Sequence, residues 1–133
     1  MKIAIVIPAR LNSTRLKQKM LMKFNGEPLI KFMFDKVRSM GYDTYVATDS
    51  AKIANHIPVK WLLKTEKADN GTHRISKVVH KLHKYDFIIN IQGDMVDIDA
   101  WTLQPVFNEC KKYSSWDILT CYTEGAKPDD VKV

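Results

Sequence analysis

The sequence predicts an α/β fold built on a mainly parallel sheet. Strand-like and helix-like segments alternate along the whole chain, the order that stacks helices on a parallel sheet. Residues 2–7 and 87–91 form apolar runs without polar alternation, as strands covered on both faces do. Each run passes directly into a polar loop, Pro8-Ala9-Arg10 in the first case and Gln92-Gly93-Asp94 in the second. Open α/β sheets bind their ligands at such strand ends.

The elements follow in order. The first strand, 2–7, leads into a loop that runs from Pro8 to Lys19, long for a strand-to-helix connection and therefore a candidate for function. Asn25-Gly26 signals a turn, and Glu27-Pro28 opens a helix with apolar residues at Leu29, Ile30, Met33, Phe34 and Val37, closed by Gly41. A second strand covers Thr44 to Asp49, and Asp49 or Ser50 can cap a short helix that Pro58 ends. Residues 59–63 read as a third strand. Asp69-Asn70-Gly71-Thr72 turns into a helix carrying Ile75, Val78, Val79 and Leu82 at helical spacing. After the strand at 87–91, Trp101, Leu103, Val106, Phe107 and Cys110 suggest a further helix, and 117–122 a further strand. There is no internal repeat, low-complexity tract or linker, so residues 1–133 are expected to form a single domain.

Composition narrows the class of function. At 133 residues, 45% hydrophobic and 27% charged, the chain suits one globular core and argues against disorder. The net charge of +6 comes from 21 Lys and Arg against 15 Asp and Glu, spread from Lys2 to Lys132 without a basic block. That excess is compatible with a solvated surface or a phosphorylated ligand. Helix-turn-helix, zinc and aromatic single-strand signatures of nucleic-acid binding are missing. Cys110 and Cys121 lack metal spacing, Met1 opens no signal-like segment, and no apolar stretch approaches the about 20 residues that span a bilayer. A reduced, cytoplasmic setting without membrane contact is the expectation.

Three segments carry candidate chemistry. Arg10, Arg15, Lys17 and Lys19, with the hydroxyls of Ser13 and Thr14, follow the first strand within one loop. Guanidinium and ammonium donors that converge in this way suit a phosphate chain. The fingerprints GxGxxG and GxxxxGK[ST] are both absent. Asp94 at the end of the 87–91 strand could hold a divalent cation beside phosphates, because magnesium commonly takes one or two protein carboxylates plus phosphate oxygens. Gly93 would admit a close backbone approach. In the third segment, Asn70-Gly71-Thr72-His73-Arg74, Thr72 is a candidate N-cap, and a cation so early in a helix is expected to face an anion or an acceptor.

Taken in order, IPARLNSTRLKQKML, NGEPLI, ATDS, DNGTHR, INIQGD and the closing VKV make the chain resemble the N-terminal half of the 3-deoxy-manno-octulosonate cytidylyltransferase (CMP-Kdo synthetase) family. The resemblance implies a Rossmann-like three-layer fold of the nucleotide-diphospho-sugar transferase type, truncated at Val133. It implies transfer of CMP from CTP to a sugar acid such as Kdo, with release of pyrophosphate. Pro8, Ala9, Arg10, Ser13, Arg15, Lys19, Gly71, Arg74 and Gln92 would bind the nucleotide, Arg74 and Gln92 along the cytidine. Arg15, Lys19 and Asp94 would be catalytic, Lys19 countering charge on the departing pyrophosphate and Asp94 binding Mg2+. The missing half resembles the source of the sugar-acid pocket, a second metal-binding Asp and much of a homodimer interface, which a separately supplied half could replace. A second reading is a nucleotide-binding module without complete catalytic activity.

Two local departures from the family pattern stand out. Lys17-Gln18-Lys19-Met20 replaces the usual Pro-Gly-Lys-Pro, so the loop loses its turn-forming residues. Met95-Val96 replaces the usual Glu-Pro after QGD and removes an acid.

Overall fold

Six buried residues in succession, Ile3–Pro8, form strand β1 at the interior of a four-stranded sheet. The computed structural model describes residues 1–13, 15–112, 115 and 117–119. Two compact units divide the chain, Met1–Ala100 and Trp101–Val133. In the first, β1 is followed by the two-residue strands β2 (Lys23–Phe24) and β3 (Glu27–Pro28), then helix α1 (Leu29–Arg38) and strand β4 (Asp43–Thr48). Helix α2 (Ala51–Ala54), strand β5 (Leu62–Lys64), helix α3 (Gly71–Ser76) and strand β6 (Phe87–Asn90) complete it.

The sheet order is β5-β4-β1-β6, and every neighbouring pair is parallel. The chain builds outward from β1 through β4 to β5, then crosses back to lay β6 on the other side of β1. Right-handed crossovers therefore place α1 and α2 on one face and α3 on the other. The reversal of direction also creates a switch point between the carboxyl ends of β1 and β6, which is where this architecture opens a crevice.

Local physics explains the elements. β1 is apolar throughout because the sheet buries both of its faces. In α1, Leu29, Ile30, Met33, Phe34 and Val37 are all buried, as their helical spacing requires. Asn25 and Gly26 both take positive φ, 50° and 82°, and close the β2–β3 hairpin with the left-handed turn that matches strand twist. Glu27 and Pro28 belong to that hairpin and not to the helix, which starts at Leu29. Ser50 caps α2, its Oγ accepting from the Ile53 N–H at 3.3 Å.

Three further expectations for the first unit need correction. The 59–63 segment is a 3-10 turn over Val59–Trp61 before β5 begins at Leu62, because Trp61 turns inward to meet Tyr45 edge-on with ring centroids 5.3 Å apart. The helix after Gly71 stops at Ser76, and a separate 3-10 turn covers Val79–Leu82. Adjacent β-branched Val78 and Val79 disfavour a continuous helix there, and Val79 is 46% exposed. The cap of α3 is Asn70 and not Thr72, with Asn70 Oδ1 accepting from the His73 N–H at 2.8 Å.

Helix α4 (Ala100–Lys111), which lies in the second unit from Trp101 onward, buries Leu103, Phe107 and Cys110 along one stripe. Burial pushes the Cys110 thiol pKa above its usual value. Trp101 lies off that stripe at 85% exposure, contrary to its expected place on the apolar face. Asp117 to Leu119 are exposed and outside any strand, and the remainder of the expected 117–122 strand lies outside the described residues. No helix among the described residues is long and apolar enough to cross a membrane.

Candidate active site

Because the sheet is parallel, the loops that follow β1, β4, β5 and β6 emerge at one end, and every described candidate site residue of the sequence lies there or at the start of α3. Pro8 closes β1, and the buried Ala9 extends the pairing by donating its N–H to the Ala47 carbonyl at 2.8 Å. The backbone entering the first loop is thus held by the sheet before the charged residues begin.

Across the switch point, Lys19 from the β1 loop reaches Asp94 from the β6 loop, with Nζ 2.7 Å from Oδ2. The two residues are 75 positions apart in sequence. Both keep substantial exposure, 39% for Lys19 and 47% for Asp94, so the pair is accessible to a ligand and water screens its attraction. Asp94 sits in a tight turn in which the Met95 N–H donates to the Gln92 carbonyl at 3.2 Å and the Val96 N–H to the Asp94 carbonyl at 2.9 Å. Lys36 of α1 donates to the Val96 carbonyl and anchors this turn from the side. Val96, where the family pattern has proline, thereby supplies a backbone N–H that proline lacks.

Glycines bring the surrounding backbones together. A Cβ on Gly71 would lie 2.9 Å from Pro8 Cγ and 3.6 Å from Gln92 Nε2, so the start of α3 packs directly against the ends of β1 and β6. A Cβ on Gly93 would lie 2.6 Å from Met20 Sδ, which places Met20 of the first loop over the turn that carries Asp94.

Arg74 turns inward from α3 and is only 4% exposed. Its Nη1 donates to Asp49 Oδ1 at 3.0 Å, Thr65 Oγ1 at 2.6 Å and the Glu66 carbonyl at 3.3 Å. The early helical cation does face an anion, and that anion is Asp49. In the sequence Asp49 stands as a candidate helix cap within ATDS, and the signal for an ion-pair role is a carboxylate directly after a buried strand. His73, next to Arg74, has its Nδ1 accepting from the Asp69 N–H at 3.2 Å.

The remaining first-loop residues are less gathered. Ser13 Oγ folds back on Leu16, accepting from its N–H at 3.0 Å and donating to its carbonyl, while Asn12 bridges Lys17. Arg10 and Arg15 are exposed and form no ion pair among the described residues. Thr14 lies outside the described residues. Lys17 is likewise exposed, so three cations without an ion pair among the described residues precede Lys19 on this loop.

Gln18, immediately before Lys19, has φ 55° and ψ 34°, the left-handed conformation. A side chain there costs about 1–2 kcal/mol that glycine avoids, and glycine is the residue the family pattern has at this point. Gln18→Gly is expected to stabilise the folded chain by about 1 kcal/mol, and Gln18→Val to destabilise it further. Urea unfolding midpoints check this; a lower midpoint for Gln18→Gly than for the unsubstituted chain would show that the loop does not hold this conformation.

A family model described as cytidylyltransferase matches residues 4–131. The chain is 38% identical over 125 residues to the 3-deoxy-manno-octulosonate cytidylyltransferase of Rickettsia peacockii (strain Rustic), covering 89% of this chain and 50% of the relative. It is 42% identical over 98 residues to the enzyme of the same name from Francisella tularensis subsp. novicida (strain U112), covering 69% and 39%. Among solved structures, a CMP:2-keto-3-deoxy-manno-octonic acid synthetase complexed with CTP superimposes with a TM-score of 0.76 at 28% identity, covering 84% of this chain and 48% of that one. A cytidylyltransferase from Leptospira borgpetersenii serovar Hardjo-bovis (strain JB197), at 23% identity and a TM-score of 0.65, shares the fold. The chain spans about half the length of the curated relatives it matches first. With a family model matching residues 4–131, nearly its whole length, this chain belongs to the cytidylyltransferase family.

Proposed function

We propose that this chain is the nucleotide-binding half of an enzyme that transfers CMP from CTP to a sugar acid of the Kdo type, releasing pyrophosphate. The observation that carries the proposal is the meeting of Lys19 and Asp94 across the switch point at 2.7 Å. Relatives that share this half are 3-deoxy-manno-octulosonate cytidylyltransferases, and the similar solved structure is complexed with CTP.

In the proposed reaction the anomeric hydroxyl of the sugar acid attacks the α-phosphorus of CTP. A new oxygen–phosphorus bond forms as the bond to the β-phosphate oxygen breaks, so pyrophosphate leaves with the electron pair and the hydroxyl proton passes to solvent. Such a step is governed by in-line positioning and by stabilising charge on the leaving oxygens. Arg10, Arg15 and Lys19 are the residues of this half that neutralise that charge, Lys19 from the switch point and the arginines from the exposed loop. Pro8, Ala9 and Ser13 give the loop its course, while Gly71, Arg74 and Gln92 line the cytidine side.

The donor set at Asp94 fits Mg2+ carried in on the triphosphate. It offers hard carboxylate oxygen beside a phosphate grip, and the described residues contain no group of three His, Cys, Asp or Glu that could cage an ion by themselves. Asp94 would hold the ion, which when bound polarises phosphate oxygens and offsets their charge. The sugar-acid pocket is assigned to a second half, attached or separately supplied, and the enzyme to the cytoplasm.

Calorimetric titration tests the nucleotide assignment. CTP with Mg2+ is expected to bind, with ATP at least about 10-fold weaker and chelation of Mg2+ weakening CTP. Equal affinity for ATP and CTP, or no response to chelation, overturns the proposal.

A further inference from the structure

The proposed reaction leaves Asp49 without a task, yet it is the carboxylate that pairs with the buried Arg74 among the described residues. Asp49 stands one position beyond β4, its side chain 28% exposed, while Thr65 and Glu66 stand just beyond β5. All three meet a single nitrogen, Arg74 Nη1, at 3.0, 2.6 and 3.3 Å. Nη1 carries two hydrogens, so three acceptors occupy it fully. The Thr48 carbonyl holds this arrangement from behind by accepting from the Thr65 N–H at 3.0 Å, and the Thr48 hydroxyl accepts from the Ser50 N–H at 3.1 Å.

A guanidinium is planar and rigid. Fixing Nη1 therefore fixes the direction in which its Nη2 and Nε hydrogens are offered. Arg74 sits on α3 three residues beyond Gly71, which packs against Pro8 and Gln92 at the candidate nucleotide site. Cytosine and uracil differ at the edge a donor pair would read: cytosine N3 accepts a hydrogen bond, whereas uracil N3 carries a hydrogen and donates. A rigid donor edge rejects the mismatched base because one of its own hydrogens would be left unpaired, while a loose one can turn away.

We infer that Asp49, supported by Thr65, is a positioning residue for base selection: it acts through Arg74, holding the guanidinium in the orientation that favours a cytosine over a uracil nucleotide. The inference deepens the proposed function and rests on its cytidine assignment. Asp49 does not touch the nucleotide and takes no part in the phosphoryl chemistry.

The test is the ratio of CTP to UTP affinity, measured by calorimetry with Mg2+ on the full chain and its variants, with thermal melts in parallel. Asp49→Ala is expected to lower the ratio about 10-fold while binding still responds to Mg2+. Asp49→Asn, which keeps the accepting oxygen, is expected to stay within about 3-fold of the unsubstituted ratio, a rescue that a general loss of packing does not produce. Thr65→Val, nearly isosteric, is expected to lower the ratio in the same direction and carries the test if Asp49→Ala does not fold. An equal loss of CTP and UTP affinity in Asp49→Ala, or in Thr65→Val where that variant is used, overturns the inference and leaves the cytidine assignment standing. A chain that binds UTP as well as CTP before any substitution overturns both.

Discussion

Asp94→Ala is expected to remove Mg2+-dependent CTP binding, a loss on the order of 100-fold or more, while leaving the fold intact. The two halves of that expectation come from the same geometry. The pair with Lys19 is short, 2.7 Å, but both partners are more than a third exposed, so losing it costs folding within about 1 kcal/mol. Binding is different, because a metal–triphosphate excludes water from the site and each charge then acts at lower effective dielectric. Lys19→Met should likewise weaken CTP strongly, yet it should preserve the response to Mg2+ that Asp94→Ala loses. Calorimetry with and without chelator, beside thermal melts of both variants, separates the roles. If Asp94→Ala binds CTP with unchanged affinity and unchanged metal response, Asp94 is not the metal-holding group.

The sequence made the candidate residues more legible than the contacts between them. β1 could be read because an unbroken apolar run is a local signal, and α1 because its five apolar positions repeat at helical spacing and all five are buried. β6 is a strand as its run predicts, but it stands at the edge of the described sheet with only Ile89 buried, so the expected cover on both faces is not met there. Lys19 and Asp94 could each be named from the loops they occupy. Their direct pairing could not, since it depends on β6 crossing back beside β1 and so on the topology of the whole sheet. Asp49 and Arg74 illustrate the same limit at a separation of 25 residues: a polar residue after a strand serves equally as cap, ligand or ion-pair partner, and only tertiary placement decides. Misread elements have local causes of another kind. Trp61 gave residues 59–63 the composition of a strand, but its ring is drawn to Tyr45 and Arg38, with the guanidinium carbon 4.0 Å from the ring centroid, and the backbone tightens into a 3-10 turn to deliver it. That gain in aromatic and cation contacts outweighs strand propensity in a segment only a few residues long.

Gly71→Ala is expected to cost more than Gly93→Ala, although the shorter approach belongs to Gly93. A methyl group at Gly93 would meet Met20 Sδ at 2.6 Å, but that sulfur lies near the end of a side chain with several rotatable bonds, which can move aside. At Gly71 the methyl would meet Cγ of Pro8 at 2.9 Å, and a pyrrolidine ring fixed at the end of a fully buried strand has no comparable freedom. The start of α3 must therefore move. Overpacking of this kind costs about 1–3 kcal/mol, and the displacement is carried toward Arg74, three residues along the same helix, and toward Gln92, whose Nε2 lies 3.6 Å from the added carbon. Gly71→Ala should accordingly weaken CTP by about 10-fold or more as well as lower the urea midpoint, whereas Gly93→Ala should change stability by less than about 1 kcal/mol. The comparison is informative because the two substitutions are chemically identical and differ only in what resists them. Equal destabilisation at both positions would mean that Met20 is as firmly held as the proline ring, and that the first loop is locked over the Asp94 turn before any nucleotide arrives.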